Sequence, residues 1–167
     1  HNSLGANTTG TQNVAVGTNA LDANTTANNN TAVGYNALTE NTTGDSNTAL
    51  GSLAAQVTST GNNTTAIGRS SLFANTTGSN NTAVGKSALQ DNTTASSNTA
   101  VGTSALEANT TGSQNVAVGA SAFDASTTSS NCVAIGHNAL TTQTAASDNV
   151  AVGKDALKLN TTGAFNT

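Results

Sequence analysis

The chain has 167 residues, with no Pro, Met or Trp, only 7% charged residues and a formal net charge of −4. Four Lys and Arg against eight Asp and Glu leave no basic patch, which argues against nucleic acid as a partner. Its apolar runs are only a few residues long, so no membrane insertion is expected, and the single Cys132 rules out a disulfide within the chain.

Taken in chain order, the predicted elements are one element repeated. Asn13-Val14-Ala15-Val16-Gly17 returns as Asn30-Thr31-Ala32-Val33-Gly34, then as Asn47-Thr48-Ala49-Leu50-Gly51, and so on to Asn149-Val150-Ala151-Val152-Gly153. The closing glycines Gly17, Gly34, Gly51, Gly68, Gly85, Gly102, Gly119, Gly136 and Gly153 keep a spacing of 17 residues without a slip. A strict short period marks a solenoid. Each run before the glycine is rich in Val and Thr and bounded by turn residues, which favours a short strand. Asn, Thr and Gly disfavour helix. The expected fold is all-β: a parallel β-solenoid, or β-roll, with one strand per 17-residue coil stacked ~4.8 Å above the last. Residues 1–167 read as a single array of about ten coils. Both ends fall within a repeat, with no Met before His1 and no polar cap, as expected of a piece of a longer fibre.

Within the strand, neighbouring side chains point to opposite faces, so Ala15 and Val16 lie on different sides. Ala15, Ala32, Ala49, Ala66, Ala83, Ala100, Ala117, Ala134 and Ala151 form a row without a charged substitution. The expectation is that this row faces out and packs against another chain. The coil interior would then hold Val, Ile or Leu before the glycine, the Leu or Phe after it, and Thr or Val at the strand's start. So thin an interior hardly offsets the ordering of 17 residues, which favours a parallel homo-oligomer.

Other rows read as structure. Asn13, Asn30, Asn47, Asn81, Asn98, Asn115 and Asn149 suggest a ladder of stacked amides. The Asn-Thr-Thr turns at Asn7, Asn24, Asn41, Asn75, Asn92, Asn109 and Asn160 also match the N-glycosylation sequon. Rungs this close leave little room for a glycan on each, so the sequons are expected to be a by-product of the turn. Arg69, Lys86, His137 and Lys154 follow the glycine, and Asp45 and Asp148 lie in the stretch after the Asn-Thr-Thr position, which reads Gln143-Thr144-Ala145 before Asp148; all are expected on exposed turns. No catalytic, cofactor-binding or metal-ligating constellation emerges, so neither enzyme activity nor a cofactor is expected.

The phrase Asn30-Thr31-Ala32-Val33-Gly34-Tyr35-Asn36-Ala37-Leu38-Thr39-Glu40-Asn41-Thr42-Thr43-Gly44 resembles the repeats of phage and phage-like tail fibres. It also resembles the head repeats of trimeric autotransporter adhesins, whose similar phrase builds a left-handed parallel β-roll. Both resemblances imply parallel homotrimers outside the cell, without enzymatic activity in the repeats. The leading expectation is an extracellular adhesin stalk or head, or a tail fibre: a rod that presents or connects binding tips. Any receptor, a cell surface or a glycan, would then be met by regions outside this segment. A single-chain extracellular filament and an ice-binding solenoid using Thr or Asn rows stay open as alternatives.

Overall fold

The computed structural model describes residues 2–167, so His1 lies outside it. Nine three-residue strands follow the sequence period: β1 (Val14–Val16), β2 (Thr31–Val33), β3 (Thr48–Leu50), β4 (Thr65–Ile67), β5 (Thr82–Val84), β6 (Thr99–Val101), β7 (Val116–Val118), β8 (Val133–Ile135) and β9 (Val150–Val152). They form one parallel sheet in chain order. Ala15 pairs with Ala32, Ala32 with Ala49, and finally Ala134 with Ala151. The protein is an all-β parallel β-solenoid, and the described residues contain no helix.

Coil-to-coil bonding continues past the strands. The N–H of Leu21 donates to Ala37 O at 2.9 Å and that of Ala23 to Thr39 O at 3.0 Å, so turn as well as strand is tied to the next coil. Such stacking needs an unusual backbone. Leu21, Leu38, Leu72, Leu89, Leu106 and Leu140 sit at φ between 51° and 55°. A left-handed conformation costs an L-residue roughly 1–2 kcal/mol, and full burial of these leucines opposes that cost.

Glycine closes each strand for a steric reason. At Gly102, φ is +137°, and an added Cβ would lie 2.5 Å from the carbonyl oxygen of Gly119 in the next coil. This row is one of two places where consecutive backbones approach closely; the other is the turn row, where a Cβ on Gly78 or Gly112 would meet the carbonyl of Ala95 or Ser129.

The alanine row corrects the sequence expectation. Ala32, Ala49, Ala66, Ala83, Ala100, Ala117, Ala134 and Ala151 are buried inside the coil of a single chain, and Ala15 on the first strand is half-buried and packs against the same core. They therefore cannot form an interchain face. Strand alternation says only that Ala and its neighbours oppose one another; the width of the coil decides which points in. Opposite the sheet, the Leu row and a second small row (Ala20, Ala37, Ala54, Ala88, Ala105, Ala122, Ala139) fill the interior. Alanine is the residue that meets them from the strand, and the larger Val, Ile and Leu point outward.

Candidate functional site: the outward strand face

Each strand presents its first and third residues to the outside. The first-position row is Val14, Thr31, Thr48, Thr65, Thr82, Thr99, Val116, Val133 and Val150; the third-position row is Val16, Val33, Leu50, Ile67, Val84, Val101, Val118, Ile135 and Val152. All are half-buried or exposed, and neither row holds a charge. Leu50 is 48% exposed and Ile135 39%, even with neighbouring rungs on both sides. In-register pairing turns these residues into two continuous columns.

Two turn residues extend the face. One lies two residues before the strand and the other two residues after it, and together they bracket the pair, as Asp148 and Lys154 bracket Val150 and Val152. The leading column is Gln12, Asn29, Ser46, Asn63, Asn80, Ser97, Gln114, Asn131 and Asp148, all exposed and all at φ between 54° and 63°. The trailing column carries Tyr35, Arg69, Lys86, His137 and Lys154, also exposed.

The Asn row before the strands lies inside, and its bonding differs from a simple amide stack. Asn30 Oδ1 accepts the backbone N–H of Asn47 at 2.9 Å, and Asn30 Nδ2 donates to Gly44 O at 2.9 Å. Asn98 does the same with Asn115 and Gly112. Asn13, Asn47, Asn81, Asn115 and Asn149 likewise bind backbone groups of the following coil. These amides are splints between a coil and its successor.

Amide-to-amide bonding occurs instead in the Asn-Thr-Thr row. Asn24 Nδ2 donates to Asn7 Oδ1 at 2.7 Å, Asn92 to Asn75 at 2.8 Å and Asn109 to Asn92 at 3.0 Å. Each also donates to the carbonyl three residues on, as Asn92 does to Ala95. Asn24, Asn41, Asn75, Asn92 and Asn109 are fully buried. Their amide nitrogens are thus occupied and inaccessible in the folded coil. Beside them, hydroxyls of Thr25, Thr42, Thr76, Thr93 and Thr110 donate to carbonyls one coil on.

Ser126 interrupts this ladder. Being too short to reach, it leaves Asn109 Oδ1, its own hydroxyl and the nearby Ser129 hydroxyl buried without partners. Cys132 replaces the splint Asn one row away, and burial pushes its thiol pKa up. At the last strand, a hydrogen bond from Lys158, then one from Asn138, holds the Asp155 carboxyl below its usual range.

Asp91, Glu107 and Asp124 rise along consecutive coils beside an open depression of ≈ 410 Å³, away from the strand face. Asp124 accepts the hydroxyl of Thr141. Among the described residues, no group of three His, Cys, Asp or Glu is placed to hold a metal ion. No helix of the described residues is long and apolar enough to cross a membrane.

Sequence reasoning placed the glycine and Asn rows but missed the residues that face out. The first and third strand positions are β-branched or Leu throughout and the middle one is always Ala, a pattern that separates the two faces without saying which points in. Comparison with protein-family models, curated proteins and solved structures returned no match.

Proposed function

We propose that the chain is a structural, non-enzymatic segment of an extracellular fibre, a rod that joins copies of itself through the outward strand face and presents or connects binding tips. One observation carries this reading: two uncharged, largely apolar columns run unbroken along nine strands while the splints and ladders lie inside. A contiguous exposed apolar surface of this kind marks an interaction site. Solenoid geometry suits a rod, since length follows coil number and coil-to-coil hydrogen bonds run the whole way. The tail-fibre and adhesin-head resemblance supports an assembly of three parallel chains outside the cell. Electron microscopy of the isolated segment tests the reading. Rods thicker than one coil support it, and rods one coil thick contradict it.

Ice binding is the second reading, carried by Thr31, Thr48, Thr65, Thr82 and Thr99 standing beside Val33, Leu50, Ile67, Val84 and Val101 on one regular sheet. It requires this face to be open in solution. An ice-recrystallisation assay on the monodisperse segment decides it: inhibition lost in Thr65→Lys supports it, and no inhibition removes it.

A further inference from the structure

We infer that the leading column carries acceptor sites for an N-linked sugar, at Asn29, Asn63 and Asn80, and that the same fold withholds the sequons of the Asn-Thr-Thr turns. The inference concerns the rim of the strand face and goes beyond the self-association proposed for its centre.

Four sequons lie outside those turns: Asn29-Asn30-Thr31, Asn62-Asn63-Thr64, Asn63-Thr64-Thr65 and Asn80-Asn81-Thr82. Their phase at the strand entry decides what the fold does with them. Asn29 is exposed, Asn30 is buried as a splint, and Thr31 opens β2 on the outward face. Asn63, Thr64 and Thr65 repeat this out-in-out order at β4, and Asn80, Asn81 and Thr82 at β5. The two groups that define a sequon, the amide and the hydroxyl two residues on, therefore stand together on one face. The residue between them, where any type but proline serves, is the one turned inward.

Asn62 has the opposite phase. Its Nδ2 donates to Thr60 O at 3.2 Å, its Oδ1 accepts the Asp45 N–H at 2.7 Å, and the hydroxyl of its Thr64 is buried against Asn47. In the Asn-Thr-Thr turns the amide itself is inside: Asn75 Nδ2 donates to Gly78 O at 3.0 Å, and Asn92 Nδ2 to Asn75 Oδ1 at 2.8 Å. By contrast, Asn29, Asn63 and Asn80 project from turns at φ 59°, 54° and 59°. Their backbone N–H groups are tied to the preceding coil, as that of Asn80 is to Asn62 O at 3.0 Å. The turn is held while the side chain stands in solvent.

Transfer needs that access. Asn Nδ2 bonds to the anomeric carbon of an activated sugar diphosphate, and the bond from that carbon to the phosphate oxygen breaks. The diphosphate leaves with the electron pair, and one amide proton passes to a base of the transferase. The product is bulky and hydrophilic, which suits an exposed rim and not a closed coil. Spacing limits the load. Asn29 has Gln12 and Ser46 on the neighbouring rungs, neither of them a sequon, whereas Asn63 and Asn80 stand one rung apart, ~4.8 Å. Asn29 is therefore expected to fill most completely.

The test gives the full folded chain a soluble N-glycosyltransferase with nucleotide-linked glucose and maps hexose by peptide mass spectrometry. A free peptide of residues 70–86 holds both Asn75-Thr76-Thr77 and Asn80-Asn81-Thr82 and serves as the unfolded reference. The peptide is expected to accept at both asparagines. In the folded chain Asn80 should exceed Asn75 by more than about tenfold, because a buried amide reacts only when its coil opens. Asn29 and Asn63 should also be occupied. Folded chain without hexose on the leading column, or with equal occupancy of Asn75 and Asn80, overturns the inference. Thr82→Ala should remove acceptance at Asn80 alone. Ser46→Asn, which completes a sequon with exposed Thr48, should add a fourth site. Hexose persisting on Asn80 in the first variant, or absent from position 46 in the second, counts equally against it.

Discussion

Asn47 and Thr64, 17 residues apart, are clamped twice: Asn47 Oδ1 accepts the backbone N–H of Thr64 at 2.9 Å and its hydroxyl at 2.7 Å. On its other side Asn47 Nδ2 donates to Gly61 O at 2.8 Å. Asn47→Ala removes all three bonds inside a closed coil. Leaving a buried polar group unpaired costs about 1–3 kcal/mol, so the variant is expected to lose about 2–4 kcal/mol in chemical denaturation. Exposed Asn29→Ala, on the leading column, should stay within about 0.5 kcal/mol.

Glycines of the same row should differ sharply. Gly102→Ala forces a Cβ against Gly119 O at 2.5 Å, whereas at Gly153 the nearest atom is Ala156 Cβ at 4.0 Å. The backbone conformation alone, at φ +128°, costs Gly153→Ala about 1–3 kcal/mol. Gly102→Ala adds a backbone clash that neither coil can relieve separately. Thermal melts should show a far larger loss for Gly102→Ala; equal losses would mean that the coils are not stacked this closely.

Ser126→Asn should stabilise the chain, because it supplies the donor that Asn109 Oδ1 lacks. A gain of about 1–2 kcal/mol is expected. A loss would show that the neighbouring Ser129, which stands where other coils have Gly or Ala, leaves no room for the amide.

Cys132 is raised by burial, so the folded coil holds its proton more tightly than the unfolded chain does. Its contribution is constant at neutral pH and is lost as pH rises through the ordinary thiol range toward the raised value. Native protein should resist thiol reagents until it unfolds. Cys132→Ser should flatten the alkaline side of the stability profile; an unchanged profile would mean that the thiol is not the titrating group.

Much of this was legible in the residues. The glycine spacing marks the coil, and Val and Thr before each glycine place one short strand per coil, where β1 to β9 lie. Which face of the strand points inward was not legible, because alternation separates Ala15 from Val16 without orienting either. Burial of Leu21 and Ala20 across the coil decides it, and that depends on the closed backbone. Asn tolerates left-handed backbone in turns, yet the splint row itself (Asn13, Asn30) is not left-handed. The left-handed residues instead include the buried leucine row and the exposed leading column, both tied to a neighbouring coil by backbone hydrogen bonds, as Leu21 N–H is to Ala37 O and Ser46 N–H to Asn28 O.

The most direct test of the outward face is solution mass by light scattering, for the 167-residue chain and for Leu50→Lys with Val101→Lys. Both residues face outward, 48% and 37% exposed, so the substitutions should leave the coil folded by circular dichroism. A discrete mass of three chains for the parent, falling to one in the variant, is the expected result. A parent that is already monomeric, or a variant whose mass does not change, would contradict it.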